Sequence, residues 1–227
     1  MMGFVREVFT SIQGEGVRVG QRQTFVRLYG CNLSCKYCDT PETQKRVGPF
    51  FYQSKTFVNP VEVDFLIDKI PEHEVAITGG EPLLQIDFLK ELCERLKTYG
   101  KKICLDTNST LPDSLQQIIT YVDIIALDFK IPTATGASQL WEKHEQCLRV
   151  ASAKEVFVKI VINKNISPEE LDKTCAIIET VNRGIPLVLQ PVFGHTVPHI
   201  LNIQKEALRR LKDVRIIPQI HKYLGLK

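Results

Sequence analysis

Short apolar segments alternate with amphipathic segments along most of this chain. Runs rich in valine, isoleucine, leucine and phenylalanine have the length and pattern of buried strands. We predict strands at residues 4–10, 24–29, 74–78, 102–106, 122–129, 156–162, 186–190 and 214–218. Apolar residues at helical spacing predict helices at residues 60–70, 112–120, 139–150, 167–181 and 202–212, and in the stretch that follows Pro82. Ser167 and Pro168, followed by two glutamates, are a typical helix start.

This β/α alternation predicts a parallel sheet that curls into a TIM-like β/α barrel or part of one. A complete eightfold barrel typically needs about 250 residues. The chain has 227 residues and too few repeats, so we expect an α/β fold with a partial, splayed barrel in a single domain over residues 1–227. Residues 41–60 interrupt the alternation with prolines, aromatic residues and basic residues. This stretch predicts a long irregular loop or flap that acts as a lid or a dimer contact.

The composition and charge argue against a nucleic-acid-binding, membrane or secreted protein and do little else to define its class. Hydrophobic residues make up 44% of the chain and charged residues 24%, and a net charge of +3 is too small to predict nucleic-acid binding. No apolar run reaches membrane-spanning length, and the first residues lack a signal-peptide core. We therefore expect a cytoplasmic protein with neither membrane nor nucleic acid as partner. Its seven cysteines are expected to be reduced thiols or metal ligands rather than disulfides.

Several polar residues end or follow the predicted strands. Barrel enzymes place their chemistry at the carboxyl ends of strands, so we expect these residues to line the mouth: Cys31, Thr78, Glu81, Asn108, Lys130, Asn163 and Gln190. For each of them, a hydrogen bond to the chain itself is the alternative. Lys159 interrupts an apolar strand and either points into the barrel or extends to solvent. Cys93 and Cys175 lie on apolar helical stripes, which predicts core positions.

The segment 31–40 carries the most specific chemistry. Cys31, Cys35 and Cys38 have the spacing C-x3-C-x2-C, and no fourth cysteine or histidine lies near them in sequence. A closed zinc site normally has four protein ligands, and a cubane iron–sulfur cluster usually has four thiolates. Three thiolates on a cubane leave one iron free to bind an exogenous ligand. A structural zinc or disulfide site with a distant fourth ligand is the alternative reading.

This spacing, with the aromatic residue Tyr37 before the third cysteine, resembles the radical S-adenosylmethionine (SAM) superfamily. The resemblance implies a [4Fe–4S] cluster whose free iron chelates SAM, and cleavage of SAM to a 5′-deoxyadenosyl radical. Gly79-Gly80-Glu81, after a predicted strand, is similar to the superfamily motif that holds the amino group of SAM. A plain capping role for Glu81 at the start of the next helix remains open.

Three further pieces of sequence resemble the 7-carboxy-7-deazaguanine synthase family: residues 11–16, 24–40 and 218–226. Members of that family convert 6-carboxy-5,6,7,8-tetrahydropterin to 7-carboxy-7-deazaguanine with loss of ammonia, on the way to queuosine and archaeosine. The resemblance implies substrate contacts from Ile12, Gln13, Gly14, Arg27, Thr78 and His221. It implies SAM contacts from Tyr37, Cys38, Asp39, Gly80 and Glu81, and a Mg²⁺ ligand at Thr40. At the strand ends we further expect Gln190 to reach bound SAM, and either Asn108 or Lys130 to bind its ribose or carboxylate. From its residue type alone, Arg27 either pairs with a local acid or binds a substrate carboxylate.

The resemblance also implies a reductant protein of the flavodoxin or ferredoxin type and a homodimer. Two other functions remain open on the sequence. A radical SAM activase of a glycyl-radical enzyme would share the cluster loop and the Gly-Gly-Glu motif, but it gives no reason for Gln13 together with Arg27. A non-catalytic metal-binding module would need only the three thiols.

Overall fold

The computed structural model describes residues 1–136 and 138–227. Its strands are β1 (Met2–Gly3), β2 (Val5–Ile12), β3 (Arg22–Leu28), β4 (Phe50–Tyr52), β5 (Lys55–Phe57), β6 (Val61–Glu62), β7 (Glu74–Gly79), β8 (Lys102–Thr107), β9 (Ile124–Asp128), β10 (Glu155–Ile162), β11 (Leu187–Pro191) and β12 (Val214–Ile216). The helices are α1 (Val63–Ile67), α2 (Ile86–Thr98), α3 (Pro112–Ile118), α4 (Pro132–Thr135), α5 (Trp141–Ala151), α6 (Pro168–Val181), α7 (Ile200–Ala207) and α8 (Ile220–Tyr223). Short 3₁₀ turns cover Gly16–Arg18, Pro41–Gln44 and Pro82–Gln85.

Within the described residues, one sheet holds ten of these strands in the order β12-β11-β10-β9-β8-β7-β3-β2-β4-β5. Every neighbouring pair from β3 to β12 is parallel, and β2 joins β3 as an antiparallel strand. In the described part of the chain β12 and β5 form the two edges, so the sheet does not close on itself. The predicted partial barrel is confirmed.

The helices cover one face of the sheet with a large apolar core. The side chains of α2 that face the sheet are fully or almost fully buried, and include Leu89, Leu92 and Cys93. Cys175 on α6 is 1% exposed, so Cys93 and Cys175 are both core residues as predicted. Ser167 accepts a hydrogen bond from the Glu170 backbone N–H, and the Glu170 carboxylate accepts one from the Ser167 backbone N–H. This capping box confirms the predicted start of α6.

The opposite, inner face of the sheet has two zones. Towards the amino ends of the strands it is apolar, with a small cluster of buried residues: Cys104, Ile124, Ala126, Phe157 and Val188. Two residues further along the same strands, on the same face, the side chains are polar: Asp106, Asp128, Lys159 and Gln190. The apolar zone closes the bottom of the partial barrel, and the polar zone opens at the carboxyl ends where chemistry is expected.

The stretch 41–60 differs from its prediction. Its second half is a hairpin in which β4 and β5 pair, and β4 also pairs in parallel with β2. The hairpin therefore extends the sheet instead of forming an irregular flap, and its Phe50 side chain is fully buried. The helix predicted at 60–70 is shorter than expected and spans only Val63–Ile67 (α1). Val61 and Glu62 instead form a strand that pairs with the first residues of the chain. Among the described helices, none combines the length and the apolar character needed to cross a membrane.

The capping box gives a first prediction. Ser167→Ala removes the acceptor of the Glu170 backbone N–H, and the free energy of unfolding should fall by about 1 kcal/mol. Chemical denaturation would measure this. Ser54→Ala in the exposed turn between β4 and β5 is the control and should stay within about 0.5 kcal/mol of the wild type. Equal stability of the two variants would contradict the role given to the cap.

Candidate active site

A cavity of about 390 Å³ lies over the carboxyl ends of the parallel strands. Its volume is within the range of small-molecule sites, about 300–1,000 Å³. Nearly all the residues expected in the site line it: Ile12, Gln13, Gly14, Arg27, Cys31, Cys35, Tyr37, Cys38, Asp39, Thr40, Thr78, Gly80, Lys130, Gln190 and His221. The cavity therefore brings together residues from both ends of the chain and from the cysteine segment.

The cysteine segment 31–40 is a loop, and neighbouring loops hold it from outside. Asn32 accepts a hydrogen bond from the Asn108 amide and donates one to the Thr110 hydroxyl, both 2.8 Å long. The Lys130 ammonium donates a 3.0 Å hydrogen bond to the Tyr37 hydroxyl. Because the loop has no helix or strand of its own, these contacts with the ends of β8 and β9 fix its path.

The three thiols Cys31, Cys35 and Cys38 all line the cavity and are half-buried. Burial raises the pKa of the Cys31 and Cys35 thiols, so coordination to iron is what would hold them as thiolates. Over residues 1–136 and 138–227, no three His, Cys, Asp or Glu side chains converge as ligands of one metal ion would. A cubane cluster takes each thiolate on a different iron, so three separate thiols around one cavity fit that group.

The Gly79-Gly80 pair lies against the end of β3. A Cβ atom at Gly79 would lie 2.2 Å from the Leu28 carbonyl oxygen, and one at Gly80 would lie 2.2 Å from the Gly30 carbonyl oxygen. Only glycine allows this approach. It puts the backbone that follows β7 directly beside Gly30, the residue before the first cysteine.

Glu81, unlike its neighbours Gly79 and Gly80, does not line the cavity. Its side chain is fully buried, and it accepts hydrogen bonds from the backbone N–H groups of Leu83 and Asn108 and from the Thr107 hydroxyl. The Glu81 carboxylate thus caps the turn after β7 and binds it to the end of β8, which is the alternative considered from sequence. A contact between this carboxylate and SAM stays a prediction.

Arg27 and Thr78 are partners in the parallel pairing of β3 with β7, so their side chains point to the same side of the sheet. The Arg27 Nε atom lies 2.9 Å from the Glu7 carboxylate, and the guanidinium carbon lies 5.5 Å from the centre of the Phe9 ring. Arg27 therefore has the local acid that sequence suggested as one alternative. Its guanidinium also lines the cavity, so this ion pair orients the group towards the site.

The turn after β2 meets the carboxyl-terminal segment across the mouth of the cavity. A Cβ atom at Gly14 would lie 1.9 Å from His221 Nδ1, and the Gly14 carbonyl accepts a hydrogen bond from the Ile220 N–H. The Gln219 amide donates hydrogen bonds to Glu15 and to Asp39, and Lys222 forms a 2.6 Å ion pair with Asp39. The packing of α8 therefore depends on the absence of a side chain at position 14.

Buried charges fill the polar zone of the inner face. Lys159 lies 2.5 Å from Glu15 and 3.2 Å from Asp128, and Asp128 lies 2.8 Å from Lys130. Lys159 therefore points inward and does not extend to solvent. Burial alone would raise the pKa of Glu15, but the Lys159 ammonium and the Gln219 amide lower it to about 2. Burial raises the pKa of Asp106, which lies in the same zone, to about 6.

Gln190 and Asn163 end neighbouring strands but have different surroundings. The side-chain oxygen of Gln190 is buried in the cavity wall and has no hydrogen-bond partner among the described residues. An acceptor in that position suits a donor from a bound ligand. Asn163 instead accepts a hydrogen bond from the Asn165 N–H and does not line the cavity, so its expected place at the mouth is wrong.

Comparison with known proteins fits this geometry. The family described as the radical SAM superfamily matches residues 25–178. A 7-carboxy-7-deazaguanine synthase from Geobacter sulfurreducens is 38% identical, over 97% of this chain and 96% of the relative. One from Archaeoglobus fulgidus is 37% identical, over 97% of both chains. The chain belongs to the 7-carboxy-7-deazaguanine synthase family of the radical SAM superfamily.

Solved structures agree at the level of the fold. The crystal structure of QueE from Escherichia coli matches with a TM-score of 0.66 and 20% identity, over 97% of this chain and 95% of that one. Family membership makes the protein a radical SAM lyase that uses a [4Fe–4S] cluster and SAM, and it decides against both the activase and the non-catalytic module. The three thiols, with Lys130 and Gln190 in the same cavity, fit these two groups.

Sequence reasoning missed several residues of the site. Glu15, Asp106, Asp128, Gln219 and Lys222 were not predicted to act there, although all of them line the cavity. The alternation along β8 and β9 is a signal that would have found Asp106 and Asp128, because each acid lies two residues after an inward apolar residue.

His144 was also missed, and it lies behind the site. It is fully buried on α5, its ring stacks on Phe129 at 4.6 Å, and it hydrogen-bonds the backbone of Ser109 and Lys130. Nothing in the sequence around His144 indicates that a histidine on this amphipathic helix binds backbone groups behind the cavity.

The thiols give a second prediction. Cys38→Ser should prevent assembly of a full cluster, because only two thiolates remain, so fewer than four irons per chain and no cleavage of SAM are expected. Iron and sulfide analysis after anaerobic reconstitution would measure this. Cys175→Ala, in the core of α6, is the matched control and should retain four irons. A Cys38→Ser variant with a complete, SAM-cleaving cluster would refute the ligand assignment.

His144 gives a third prediction, on pH. Burial lowers the pKa of His144 from 6.5 to about 4. At this position the unfolded chain therefore binds a proton that the folded protein excludes, so the contribution of His144 to wild-type stability falls as the pH drops from about 6.5 towards 4. The loss reaches about 3 kcal/mol, at about 1.4 kcal/mol per pKa unit.

His144→Phe lacks this titration, so the stability of the wild type relative to the variant should decrease over the same pH interval. Urea unfolding between pH 4.5 and 7.5 would measure the difference. Parallel pH profiles for the two proteins would show that the histidine is not buried in its neutral form.

Proposed function

We propose that this protein converts 6-carboxy-5,6,7,8-tetrahydropterin to 7-carboxy-7-deazaguanine with loss of ammonia, in the biosynthesis of 7-deazapurines. Near full-length similarity to 7-carboxy-7-deazaguanine synthases supports this activity. The observation that carries it in the structure is a single cavity that holds both the three thiols and Arg27, Thr78 and His221. A cofactor site and a site for an anionic heterocycle are thus in contact.

The substrate carboxylate is bound by Arg27. A guanidinium has five N–H donors, and its ion pair with Glu7 is made through Nε. The remaining donors suit a bidentate carboxylate. Thr78, beside Arg27 on β7, offers a hydroxyl to the same group. Gln13 and the backbone at Ile12 and Gly14 face the cavity, where they suit the alternating donors and acceptors of a pterin edge.

The residues that would hold SAM lie between the cysteine segment and the ends of β7, β9 and β11. The backbone at Gly80, the Lys130 ammonium and the buried oxygen of Gln190 line this part of the cavity, together with Tyr37, Cys38 and Asp39. Burial alone would lower the pKa of Lys130, but Asp128 and Tyr37 outweigh burial and raise it, so the side chain is a cation that suits a carboxylate. When bound, the cluster and SAM supply the 5′-deoxyadenosyl radical that starts the reaction.

A Mg²⁺ ion is held at Thr40. This residue lines the cavity and ends the cysteine segment, and its hydroxyl is a hard oxygen ligand. One hydroxyl is a weak site for Mg²⁺, so substrate oxygens and water would have to complete its coordination sphere. The ion therefore binds together with the substrate.

The protein acts in the cytoplasm as a homodimer and takes electrons from a flavodoxin- or ferredoxin-type protein. Exposed apolar side chains that flank the β4–β5 hairpin in sequence, Val47 and Val58, and Phe65 on α1 support a contact between subunits. Light scattering of the purified protein tests the dimer. The small net charge gives no support for a nucleic-acid partner.

Anaerobic turnover tests the activity directly. Reduced, reconstituted enzyme is mixed with SAM, Mg²⁺ and 6-carboxytetrahydropterin, and the product is identified by mass. 7-Carboxy-7-deazaguanine is the expected product, with a rate that falls when Mg²⁺ is left out. If SAM is cleaved but the pterin is recovered unchanged under all conditions, the substrate is a different molecule.

Arg27 gives a fourth prediction. Arg27→Ala should leave SAM binding intact and reduce turnover at least about 100-fold, because the substrate carboxylate loses a charge-assisted bidentate partner. Arg22→Ala on the same strand, where an exposed Arg22 pairs with Glu72, is the matched control and should turn over normally. SAM affinity and steady-state rates separate the two effects. Wild-type turnover in Arg27→Ala would overturn the substrate assignment.

A further inference from the structure

His144 has two backbone partners at the ends of different strands. Its Nε2 atom lies 3.0 Å from the Lys130 backbone N–H, and its Nδ1 atom lies 3.0 Å from the Ser109 carbonyl oxygen. Because the Lys130 N–H can only donate, Nε2 must be the acceptor, and Nδ1 must carry the proton that is donated to Ser109. One neutral tautomer therefore satisfies both bonds.

The Lys130 partner lies where the ladder between β9 and β10 ends. The Phe129 N–H still donates to the Lys159 carbonyl, and the next N–H, that of Lys130, donates to His144. The Phe129 ring stacks on the His144 ring, with an angle of 8° between the planes. His144 thus supplies a hydrogen-bond acceptor for the first N–H beyond the ladder. That N–H belongs to Lys130, whose ammonium binds the Tyr37 hydroxyl.

The Ser109 partner lies in the tight turn after β8. Ser109 has a φ of +61°, which a non-glycine residue adopts only when its surroundings hold it there. The two residues beside it, Asn108 and Thr110, hydrogen-bond to each other and to Asn32. The turn therefore holds the cysteine segment between its first and second cysteines.

We propose that His144 is a positioning residue that fixes two attachments of the cysteine segment, at Asn32 and at Tyr37, relative to each other. Both attachments depend on backbone that follows a strand end, and the imidazole bridges those two stretches from behind. The spacing of the three thiols and the aim of Lys130 into the cavity follow from this bridge. The inference rests on the cluster and SAM but not on the pterin, so its tests use SAM alone.

His144→Phe keeps a ring that stacks on Phe129 and removes both hydrogen bonds. The variant should take up a cluster, yet its dissociation constant for SAM should rise about 10- to 100-fold, as for other supports behind metal ligands. The electron paramagnetic resonance spectrum of the reduced cluster with SAM should also change. Leu148→Ala, in the fully buried core of the same helix, is the control: it loses stability but should keep wild-type SAM affinity and spectrum.

Two conservative variants separate the two bonds and remain informative if the phenylalanine variant fails to fold. His144→Gln places an amide near Nε2 and should restore the bond to Lys130, whereas His144→Asn places one near Nδ1 and should restore the bond to Ser109. Partial and different recovery of SAM affinity in the two supports a bridge. Wild-type SAM affinity and spectrum in the folded variants, or the same shift in Leu148→Ala, would show that His144 is only a core residue.

Discussion

The close approach of β7 to the end of β3 sets the geometry on which the rest of the site depends. At Gly79 and Gly80 the backbone lies so near Leu28 and Gly30 that no side chain fits. Gly30 in turn accepts a hydrogen bond from the Glu81 N–H and donates to the carbonyls of Thr43 and Lys45. The residues that precede and follow the cysteine segment, and the Gly-Gly-Glu turn, are thereby held around Gly30. Two sequence motifs about 40 residues apart become a single surface through backbone contact, with no side chain between them.

The inner face of the sheet buries several charged side chains in the wall of the cavity. Isolated buried charges are strongly unfavourable, whereas paired ones are tolerated. Lys130, Asp128, Lys159 and Glu15 form a continuous chain of opposite charges across β9, β10 and the turn after β2. Each charge has a neighbour of the other sign, so the cavity wall keeps ionised groups in fixed places. Such fixed dipoles and charges are what orient ligands without rearrangement at the moment of reaction.

The sequence predicted the parts of this structure that are specified locally. The β/α alternation predicted the open parallel sheet, Ser167 predicted the start of α6, and the cysteine spacing predicted the role of the cysteine segment. The β4–β5 hairpin was missed because pairing of β4 with β2 joins residues more than 40 positions apart. The inward direction of Lys159 could not be predicted, because its partners Glu15 and Asp128 come from distant segments. Residue type alone favours a lysine that extends to solvent. His144 was missed for the same reason: its role is defined by Ser109 and Lys130, not by its own helix.

The open sheet also explains the contacts of the carboxyl-terminal segment. In the described part of the chain β12 has β11 as its single neighbour, so the barrel is not closed by strand pairing on that side. The segment after β12 crosses the mouth instead, and Gln219, Ile220 and Lys222 bind Glu15, Gly14 and Asp39 through hydrogen bonds and an ion pair. Two polar side-chain contacts and one backbone hydrogen bond stand at this point in place of a hydrogen-bond ladder. A ladder would fix the distance between β12 and β2 along their whole length. These three contacts instead join the two sides at single residues, and they leave a cavity large enough for small-molecule ligands beside the cysteine segment.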